Sequence, residues 1–488
     1  MAPSRTGPFK RRLTYEGGAA FPQASAVSGP HCCFNWTLVS TIATGRTKAP
    51  AVNLYLLRSS LVAALGGLLF GFDTAVISGT TRALSEAFSL SPAMLGVTVS
   101  AALWGTVLGS LSAGLPSDRY GRRSCLTALG ALYLTSALGC ALAWNWPGLL
   151  AFRAIGGLAI GASSVVGPMY IAEISPPAKR GRLVGLFQMN VVVGILIAYL
   201  SNYLVAAGGF GASEWRWKFG VLAIPAGAFL LAVLAVPESP RWLVSAGRPE
   251  EAREVLRRVG EPNADQELQK IAETLHRDRQ RRSEPLFQIR YRKPVLLAVS
   301  IGIFNQLSGI NAILYYLNDI FERAGFSKVS SDMQAVAIGF TNLVFTLIAM
   351  SLIDRLGRKK LLLAGAVGTA LCLGGVALIF ATGSHPELLV WLLVGFIASF
   401  AFSQGAVIWV YLSEVFPNLV RAKGQSLGSF THWFMNAAIS AVFPVMAARS
   451  GAAPFFGFAL MMGVQFFVVL ATYPETKGVS LEEMEHHI

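Results

Sequence analysis

The sequence predicts an all-α membrane protein that crosses the bilayer twelve times, and three observations support this prediction. The chain has 488 residues, of which 53% are hydrophobic and only 14% are charged, whereas soluble proteins carry about 25% charged residues. Its mean hydropathy is +0.54. Apolar runs of roughly 20 residues recur along the chain, each long enough to cross a bilayer core of ~30 Å. Because lipid offers the backbone no hydrogen-bond partners, each run is expected to be helical.

The apolar runs form two groups of six, separated by a polar stretch. They are centred near residues 68, 104, 134, 159, 195, 228, 305, 342, 371, 400, 436 and 463. We therefore predict an N-terminal six-helix bundle over residues 54–237, a helical linker over 238–293 and a C-terminal six-helix bundle over 294–473. The linker contains "PEEAREVLRRV" and "DQELQKIAETLHRDRQRR", and both patterns are typical of short amphipathic helices.

The two ends of the chain differ from the apolar runs. Residues 1–53 are rich in Pro, Gly, Ser and Arg and have no sustained apolar period, which is typical of a disordered segment. We predict a disordered N-terminal tail, the alternative being a start assigned too far upstream. Residues 474–488 are predicted to form a short C-terminal tail.

Positively charged residues gather in alternate loops between the predicted helices. The linker and the loops around Arg122, Arg182 and Arg358 are rich in Lys and Arg, whereas residues 143–148 and 382–387 contain neither. Because positive loops stay on the cytoplasmic side, we predict a multi-pass protein of the plasma (inner) membrane, with both tails and the linker in the cytoplasm. This alternation argues against a nucleic-acid partner, which the net charge of +14 would otherwise suggest.

The two groups of helices contain a repeated pattern. "YIAEISPPAKRGRLVG" (170–185) aligns with "YLSEVFPNLVRAKGQSLG" (411–428), and "SDRYGRR" (117–123) aligns with "IDRLGRKK" (353–360). "PESPRW" pairs more loosely with "PETKG". The two halves are therefore internal repeats of one six-helix unit. Parallel six-helix repeats with a substrate site at their interface are typical of secondary transporters.

Acidic and basic residues recur at matching places in both halves and are predicted to form salt bridges that latch neighbouring helices and break as the halves rock. In the alternative interpretation, they only enforce the topology of the loops. The residues are Asp118, Arg119, Arg122, Glu173, Arg180, Glu238 and Arg241 in the first half, and Asp354, Arg355, Arg358, Glu414, Arg421 and Glu475 in the second. Glu173 and Glu414 are expected to pair near Arg180 and Arg421.

Taken in order, these motifs make the chain resemble the sugar porter family of the major facilitator superfamily, from about residue 54 to 480. The resemblance rests on "GRR" after Asp118-Arg119, "GGLAIGASSVVGPMYIAEISPPAKR", "PESPRW", "NQLSGINAILYY", "WVYLSEVFP" and "PETKG". It implies the major facilitator fold, with twelve transmembrane helices in two six-helix halves, a central monosaccharide site and alternating access.

A sugar presents hydroxyl groups that donate and accept hydrogen bonds, together with an apolar ring face, so its site requires amides and aromatic rings. In the seventh run Gln306, Asn311 and Tyr315 would share one side of a helix. A buried amide can also simply tie two helices together, but the resemblance favours a sugar site. The candidate substrate-binding residues are Phe70, Gln188, Asn305, Gln306, Asn311, Tyr315, Asn342, Trp409, His432, Trp433 and Asn436.

The chain departs from the family pattern at three places. It has Asn305–Gln306 where two glutamines are usual, and Gly405-Ala406 where Gly-Pro is usual, so a kink in the tenth run is in question. His432 stands where an amide is usual. A histidine can donate and accept hydrogen bonds, but it also titrates near neutral pH; a lone structural histidine is the alternative.

Asp73 and Arg153 are predicted to lie inside the apolar slab, in the first and fourth runs. A charge there costs at least ~2.5–3.5 kcal/mol on insertion scales, so each charge has the other as an obvious partner. Pairing favours the ionised carboxylate and loss of the pairing favours the protonated acid. Related proton-driven symporters have this Asp and Arg, whereas facilitators typically have a neutral residue at the first position. The resemblance thus implies that Asp73 carries the proton and Arg153 modulates it, the alternative being a static pair.

The sequence therefore favours a transporter that imports a monosaccharide with a proton. A uniporter, which only equilibrates sugar, and a sugar sensor that does not transport are the alternatives. We find no nucleophile–base pair, metal-ligand cluster or phosphate-binding loop, so we expect neither an enzyme nor a metal or cofactor. One chain contains a whole pathway, so the partners expected for a monomer are the sugar, the proton and the lipid bilayer.

Overall fold

The structure is a computed structural model and describes residues 53–280, 284–417 and 419–477. The predicted tail over residues 1–53 lies outside these residues, apart from Asn53, and so does the C-terminal segment beyond residue 477.

The described chain folds into α-helices joined by short turns. The first half consists of α1 (Leu54–Val76), α2 (Thr81–Phe88), α3 (Pro92–Ser112), α4 (Gly114–Tyr120), α5 (Arg122–Ala141), α6 (Trp146–Ile174), α7 (Pro177–Ala207), α8 (Glu214–Val221) and α9 (Ala223–Val233). The linker contains α10 (Pro240–Ser245), α11 (Pro249–Arg258) and α12 (Ala264–Gln280). The second half consists of α13 (Arg292–Leu307), α14 (Ile310–Tyr315), α15 (Leu317–Arg323), α16 (Lys328–Leu356), α17 (Arg358–Thr382), α18 (Leu389–Phe400), α19 (Ala406–Glu414), α20 (Arg421–Arg449) and α21 (Ala453–Thr472).

Local sequence explains where several long helices begin. Ser91 accepts a hydrogen bond from the backbone N–H of Met94 and precedes a proline at the first helical position of α3. Asn145 caps α6 in the same way, and Ser327 caps α16. Side-chain caps satisfy N–H groups that have no partner inside the helix, so these boundaries follow from short polar residues between apolar runs.

Twelve helical segments within the described residues are long and apolar enough to cross a membrane, judged by their length and composition. They coincide with the twelve apolar runs, so the predicted number of spans is confirmed. The start of α1 lies beside the linker, because Asn53 donates a hydrogen bond to the carbonyl of Arg258. We call this end of the bundle the linker end and the opposite end, where α1 finishes, the far end.

The seventh span, Ile289–Tyr315, is interrupted between α13 and α14, so Gln306, Asn311 and Tyr315 do not share one side of a regular helix as expected. Gly309 separates α13 from α14 and has a φ of +79°, in the left-handed region that favours glycine. A Cβ at this position would lie 2.3 Å from the ring of Phe458. The break follows from a backbone that only glycine allows at this place.

The tenth span also departs from regular α-helix. A π-helical turn over Ala401–Gly405 joins α18 to α19. Such single wide turns are rare and occur frequently at functional sites. The irregularity therefore does not require the proline that Ala406 replaces.

Glycines allow α1 and α7 to pack with their backbones in direct contact. A Cβ at Gly71 would lie 1.9 Å from the carbonyl oxygen of Val191, and a Cβ at Gly67 would lie 2.5 Å from that of Phe187. In return, a Cβ at Gly194 on α7 would lie 2.1 Å from the carbonyl oxygen of Leu68. Small residues at helix contacts are a general device of membrane bundles.

We expect Gly71→Ala to destabilise the protein, because the added methyl group would force α1 and α7 apart. Overpacking of this kind typically costs about 1–3 kcal/mol, and thermal unfolding of the purified protein in detergent measures it. Gly457→Ala is the matched control, since no atom lies within 4 Å of a Cβ at that position. An unchanged midpoint for Gly71→Ala would contradict the close packing described here.

Candidate functional site

Asp73 on α1 and Arg153 on α6 form a buried ion pair inside the first half. The Nη1 atom of Arg153 donates to both carboxylate oxygens of Asp73, each at 3.0 Å. The side chains are 5% and 3% exposed, and the guanidinium lies over the ring of Phe219 at 5.7 Å. The Nε atom of Arg153 is buried without a hydrogen-bond partner, so the guanidinium has one donor that the pair does not use.

A small cavity lies against this ion pair and reaches the second half. Its volume is about 10 Å³, which is close to the smallest cavity that can hold one water molecule. Asp73 and Arg153 line it together with Phe70, Tyr315 and Trp433. The charged pair therefore shares one cavity with three of the aromatic residues that the sequence assigned to the substrate site.

Amide side chains of the second half form a buried hydrogen-bonded cluster with Gln306 at its centre. Gln306 accepts a hydrogen bond from Asn311 at 3.0 Å, donates to Asn305 at 3.1 Å and contacts the ring nitrogens of His432 at 3.2 and 3.3 Å. On α20, Asn436 donates to the hydroxyl of Tyr315 at 3.1 Å. The break at Gly309 brings Gln306 and Asn311 together although they are not on one regular helix.

Aromatic rings cover one side of this cluster and join the two halves. His432 lies 5.1 Å from Trp409 and 5.0 Å from Trp433, measured between ring centroids. Trp433 in turn lies 5.5 Å from Phe70 of α1. Trp409 is 38% exposed, whereas Trp433 and His432 are buried.

Two other predicted residues lie outside this hydrogen-bonded cluster. Gln188 on α7 and Asn342 on α16 are both half-buried. In the described part of the chain, neither makes a hydrogen bond to the amide cluster. The structure thus brings together nine of the candidates, namely Phe70, Asn305, Gln306, Asn311, Tyr315, Trp409, His432, Trp433 and Asn436.

The predicted loop charges of the first half form a network at the linker end. Arg122 forms a two-pronged pair with Glu173 at 2.9 and 3.0 Å and also contacts the exposed Asp118 at 3.1 Å. Glu238 accepts hydrogen bonds from the backbone N–H groups of Arg122 and Arg123 at the start of α5. The guanidinium of Arg119 lies over the ring of Tyr120.

The second half repeats this network with equivalent residues. Arg358 pairs with Glu414 at 2.8 and 3.1 Å and with the exposed Asp354 at 3.0 Å. Glu475 accepts a hydrogen bond from the backbone N–H of Arg358 at 2.8 Å, and the carbonyl of Arg355 accepts one from Lys477. The sequence repeat is therefore also a repeat of contacts.

Glu173 and Glu414 form ion pairs as expected, but their partners in the structure are arginines other than Arg180 and Arg421. Glu173 pairs with Arg122 and Glu414 with Arg358, whereas the arginines that follow them in sequence bond backbone carbonyls. Arg180 donates to Ser175 at 3.5 Å and Arg421 donates to Phe416 at 3.3 Å. Arg241 lines a cavity between α6, α7 and the linker helices, together with Glu173 and Arg180.

Sequence reasoning missed a second group of buried charges, at the far end. The side chains of Lys218 on α8 and Asp332 on α16 are 0% and 1% exposed and lie 3.5 Å apart. Lys218 also lies 2.7 Å from Glu214, which pairs with Lys328 at 2.8 Å. An acid and a base four residues apart at the start of the sixth span, and again at the eighth, were the available signal.

Among the described residues, three ion pairs at the far end join the first half to the second. They are Arg82–Glu322 at 3.0 Å, Lys218–Asp332 and Glu214–Lys328. The hydroxyl of Thr81 adds a hydrogen bond to Asp319 at 3.0 Å. The Arg122 and Arg358 networks of the linker end, in contrast, each hold one half together. The halves are therefore tied to each other at the far end.

Known proteins share both this sequence and this fold. A family model described as "Sugar (and other) transporter" matches residues 59–487. The arabinose-proton symporter of Bacillus subtilis is 39% identical over 434 residues, covering 87% of this chain and 93% of the relative. The glucose transport protein of Synechocystis is 36% identical over 453 residues, covering 88% and 97%.

Among solved structures, the inward-open conformation of the xylose transporter of E. coli matches with a TM-score of 0.80 at 34% identity. The match covers 89% of this chain and 100% of that chain. The predicted fold class is confirmed, since the described chain is an all-α bundle with twelve membrane-spanning helices and the major facilitator fold. The chain belongs to the sugar transporter family, among the sugar porters of the major facilitator superfamily.

Proposed function

We propose that this protein imports a monosaccharide together with a proton by alternating access. The observation that carries the proposal is the shared cavity, in which the Asp73–Arg153 ion pair meets Phe70, Tyr315 and Trp433. Relatives named as an arabinose-proton symporter and as a xylose transporter support the substrate class. In this proposal the protein is a monomer of the plasma membrane, with its linker end and both tails in the cytoplasm.

The ion pair supplies the proton site. Arg153 binds the carboxylate of Asp73 through two hydrogen bonds, and a change in the spacing of α1 and α6 would break them. Phe70 lies one turn before Asp73 on α1 and contacts Trp433 of the second half. The charge of Asp73 can therefore bias the position of a helix that touches the sugar.

The amide cluster of the second half supplies the sugar site. Gln306, Asn311 and Asn436 can each donate and accept, which matches hydroxyl groups. In the described state Asn311 bonds Gln306 and Asn436 bonds Tyr315. A sugar would replace these mutual bonds with bonds to its hydroxyls. Trp409 and Trp433 provide the flat apolar surfaces that a ring face requires.

Alternating access follows from the distribution of ion pairs. The bundles over residues 54–237 and 294–473 are the proposed moving bodies, and the linker over 238–293 connects them. The far end is closed by buried and half-buried charges that join both bodies. The Arg122 and Arg358 networks keep the helices of each body together at the linker end, so they act as latches within a half. This arrangement corresponds to an inward-facing state.

Replacing Asp73 with Asn is expected to abolish sugar accumulation driven by a proton gradient while sparing sugar counterflow. The amide keeps the shape of the side chain but cannot carry the proton. Purified protein in proteoliposomes, tested with labelled xylose, arabinose, glucose, galactose and inositol with and without a protonophore, measures both activities.

Asp265→Asn, an exposed carboxylate of the linker, serves as the control and is expected to accumulate sugar normally. If Asp73→Asn still concentrates sugar against a gradient, then Asp73 is not the coupling site. In that case the static-pair interpretation holds. Wild-type uptake that only equilibrates sugar would instead indicate a uniporter.

Removing the central amide with Gln306→Ala is expected to weaken sugar binding at least ~10-fold, because the sugar hydroxyls lose a buried donor and a buried acceptor. His432→Gln keeps a donor and an acceptor, so we expect it to retain transport and to alter the preference among sugars. Titration calorimetry or tryptophan fluorescence of the purified protein measures the affinities. Gln269→Ala, at an exposed linker amide, should leave them unchanged, and equal effects of Gln306→Ala and Gln269→Ala would exclude this site.

A further inference from the structure

We propose that Glu214, Lys218, Lys328 and Asp332 form a partner-exchanging latch that closes the far end and lets the halves separate without leaving a buried charge unpaired. We call these four residues the far-end quartet. The inference rests on the alternating access proposed above and assigns a function to charges that the sugar and proton sites do not use.

The quartet is paired across the two halves in the described state. Lys218 of α8 faces Asp332 of α16 at 3.5 Å, and Glu214 of α8 faces Lys328 of α16 at 2.8 Å. Each half contributes one acid and one base. Both inter-half contacts therefore join opposite charges.

Each half can also pair its own two charges. Glu214 and Lys218 are four residues apart on α8 and already lie 2.7 Å from each other. Lys328 and Asp332 are four residues apart on α16, a spacing at which side chains of a helix meet. When the halves separate, the two cross pairs can become two pairs within helices. Each charged side chain of the quartet would therefore keep an oppositely charged partner in the open state.

Neighbouring polar groups hold each buried ion within its own half. Lys218 donates a hydrogen bond to the carbonyl of Gly79 at 2.9 Å, and this glycine belongs to the first half. Asp332 accepts a hydrogen bond from Asn318 at 2.6 Å, and this amide belongs to the second half. These hydrogen bonds lie within one half and remain when the halves separate, so Lys218 and Asp332 each keep a polar partner.

Lys218 and Asp332 need alternative partners because both side chains are buried. Removing one member of a buried pair leaves an uncompensated charge, which is strongly destabilising, whereas an apolar pair of similar size is tolerated. An apolar pair at positions 218 and 332 would hold the far end closed, because opening would expose it to water. A charged pair with alternative partners closes the end and still allows it to open.

A cysteine at position 335 reports the opening of the far end. Ala335 is buried and lies on the face of α16 that carries Asp332 and Gly339, and a Cβ at Gly339 would contact Tyr199 of the first half. Ala335→Cys would be made in the full chain with its native cysteines replaced by alanine. The rate of maleimide labelling of this protein, purified in detergent, measures the open population.

Lys218→Met is expected to speed labelling at least ~10-fold, because Glu214 and Asp332 then repel each other across the closed interface with only Lys328 between them. Asp332→Asn leaves Lys218 paired with Glu214, so it provides a milder second variant that should also speed labelling. The double variant Lys218→Met/Asp332→Leu is expected to label more slowly than the parent and to exchange sugar more slowly.

Arg82→Met is the matched control. Arg82 also joins the halves at the far end, but it is 61% exposed, and exposed ion pairs contribute little. We expect it to label at the parent rate. Parent-like labelling of both Lys218→Met and Asp332→Asn, or equal acceleration by Arg82→Met, would overturn the latch. Labelling requires neither a proton gradient nor sugar, so its failure is distinguishable from failure of the proposed symport.

Discussion

The structure depends on one constraint, which is that a charge buried in an apolar bundle requires a partner at every stage of any motion. Asp73 and Arg153 satisfy it inside the first half, with two hydrogen bonds between them. Lys218 and Asp332 satisfy it across the two halves. Pairs within one half can move as a body, whereas pairs between halves must exchange partners, so the location of each pair determines which motions it opposes.

The same constraint divides the proposed tasks between the halves. Charged groups of the core lie in the first half, on α1 and α6, whereas the amide cluster around Gln306 lies in the second. Among the described residues, the ion pair and the amide cluster are connected by aromatic contacts, chiefly Phe70 with Trp433 at 5.5 Å, and by the small cavity beside them. Neutral amides can exchange hydrogen bonds with a sugar without altering the charge balance of the neighbouring ion pair. In the proposed mechanism, coupling therefore passes through the position of α1 and not through a shared polar network.

Much of this arrangement could be predicted from sequence because lipid leaves few options. Apolar runs longer than the bilayer core have to be helices, and the repeat located the matching charges of Arg122 and Arg358. Other features could not be predicted. A glycine in an apolar run is compatible with a continuous helix, and the ring of Phe458, which leaves no room for a Cβ at Gly309, is distant in sequence. Lys218 was overlooked because it lies near the end of an apolar run, where a lysine normally reaches water. Its burial beside Gly79, Glu214 and Asp332 arises only in the folded bundle.

By itself, the sequence determined the twelve spans, the two related halves, the family and the identity of the central amides and of the Asp73–Arg153 pair. These follow from composition, periodicity and motif order, which are properties of the chain itself. Only the tertiary structure decided that Glu173 pairs with Arg122 instead of Arg180, that Gln306 is the centre of the amide cluster, and that buried charges join the halves at the far end. Those features depend on distances between residues remote in sequence, and such distances exist only once the helices have packed.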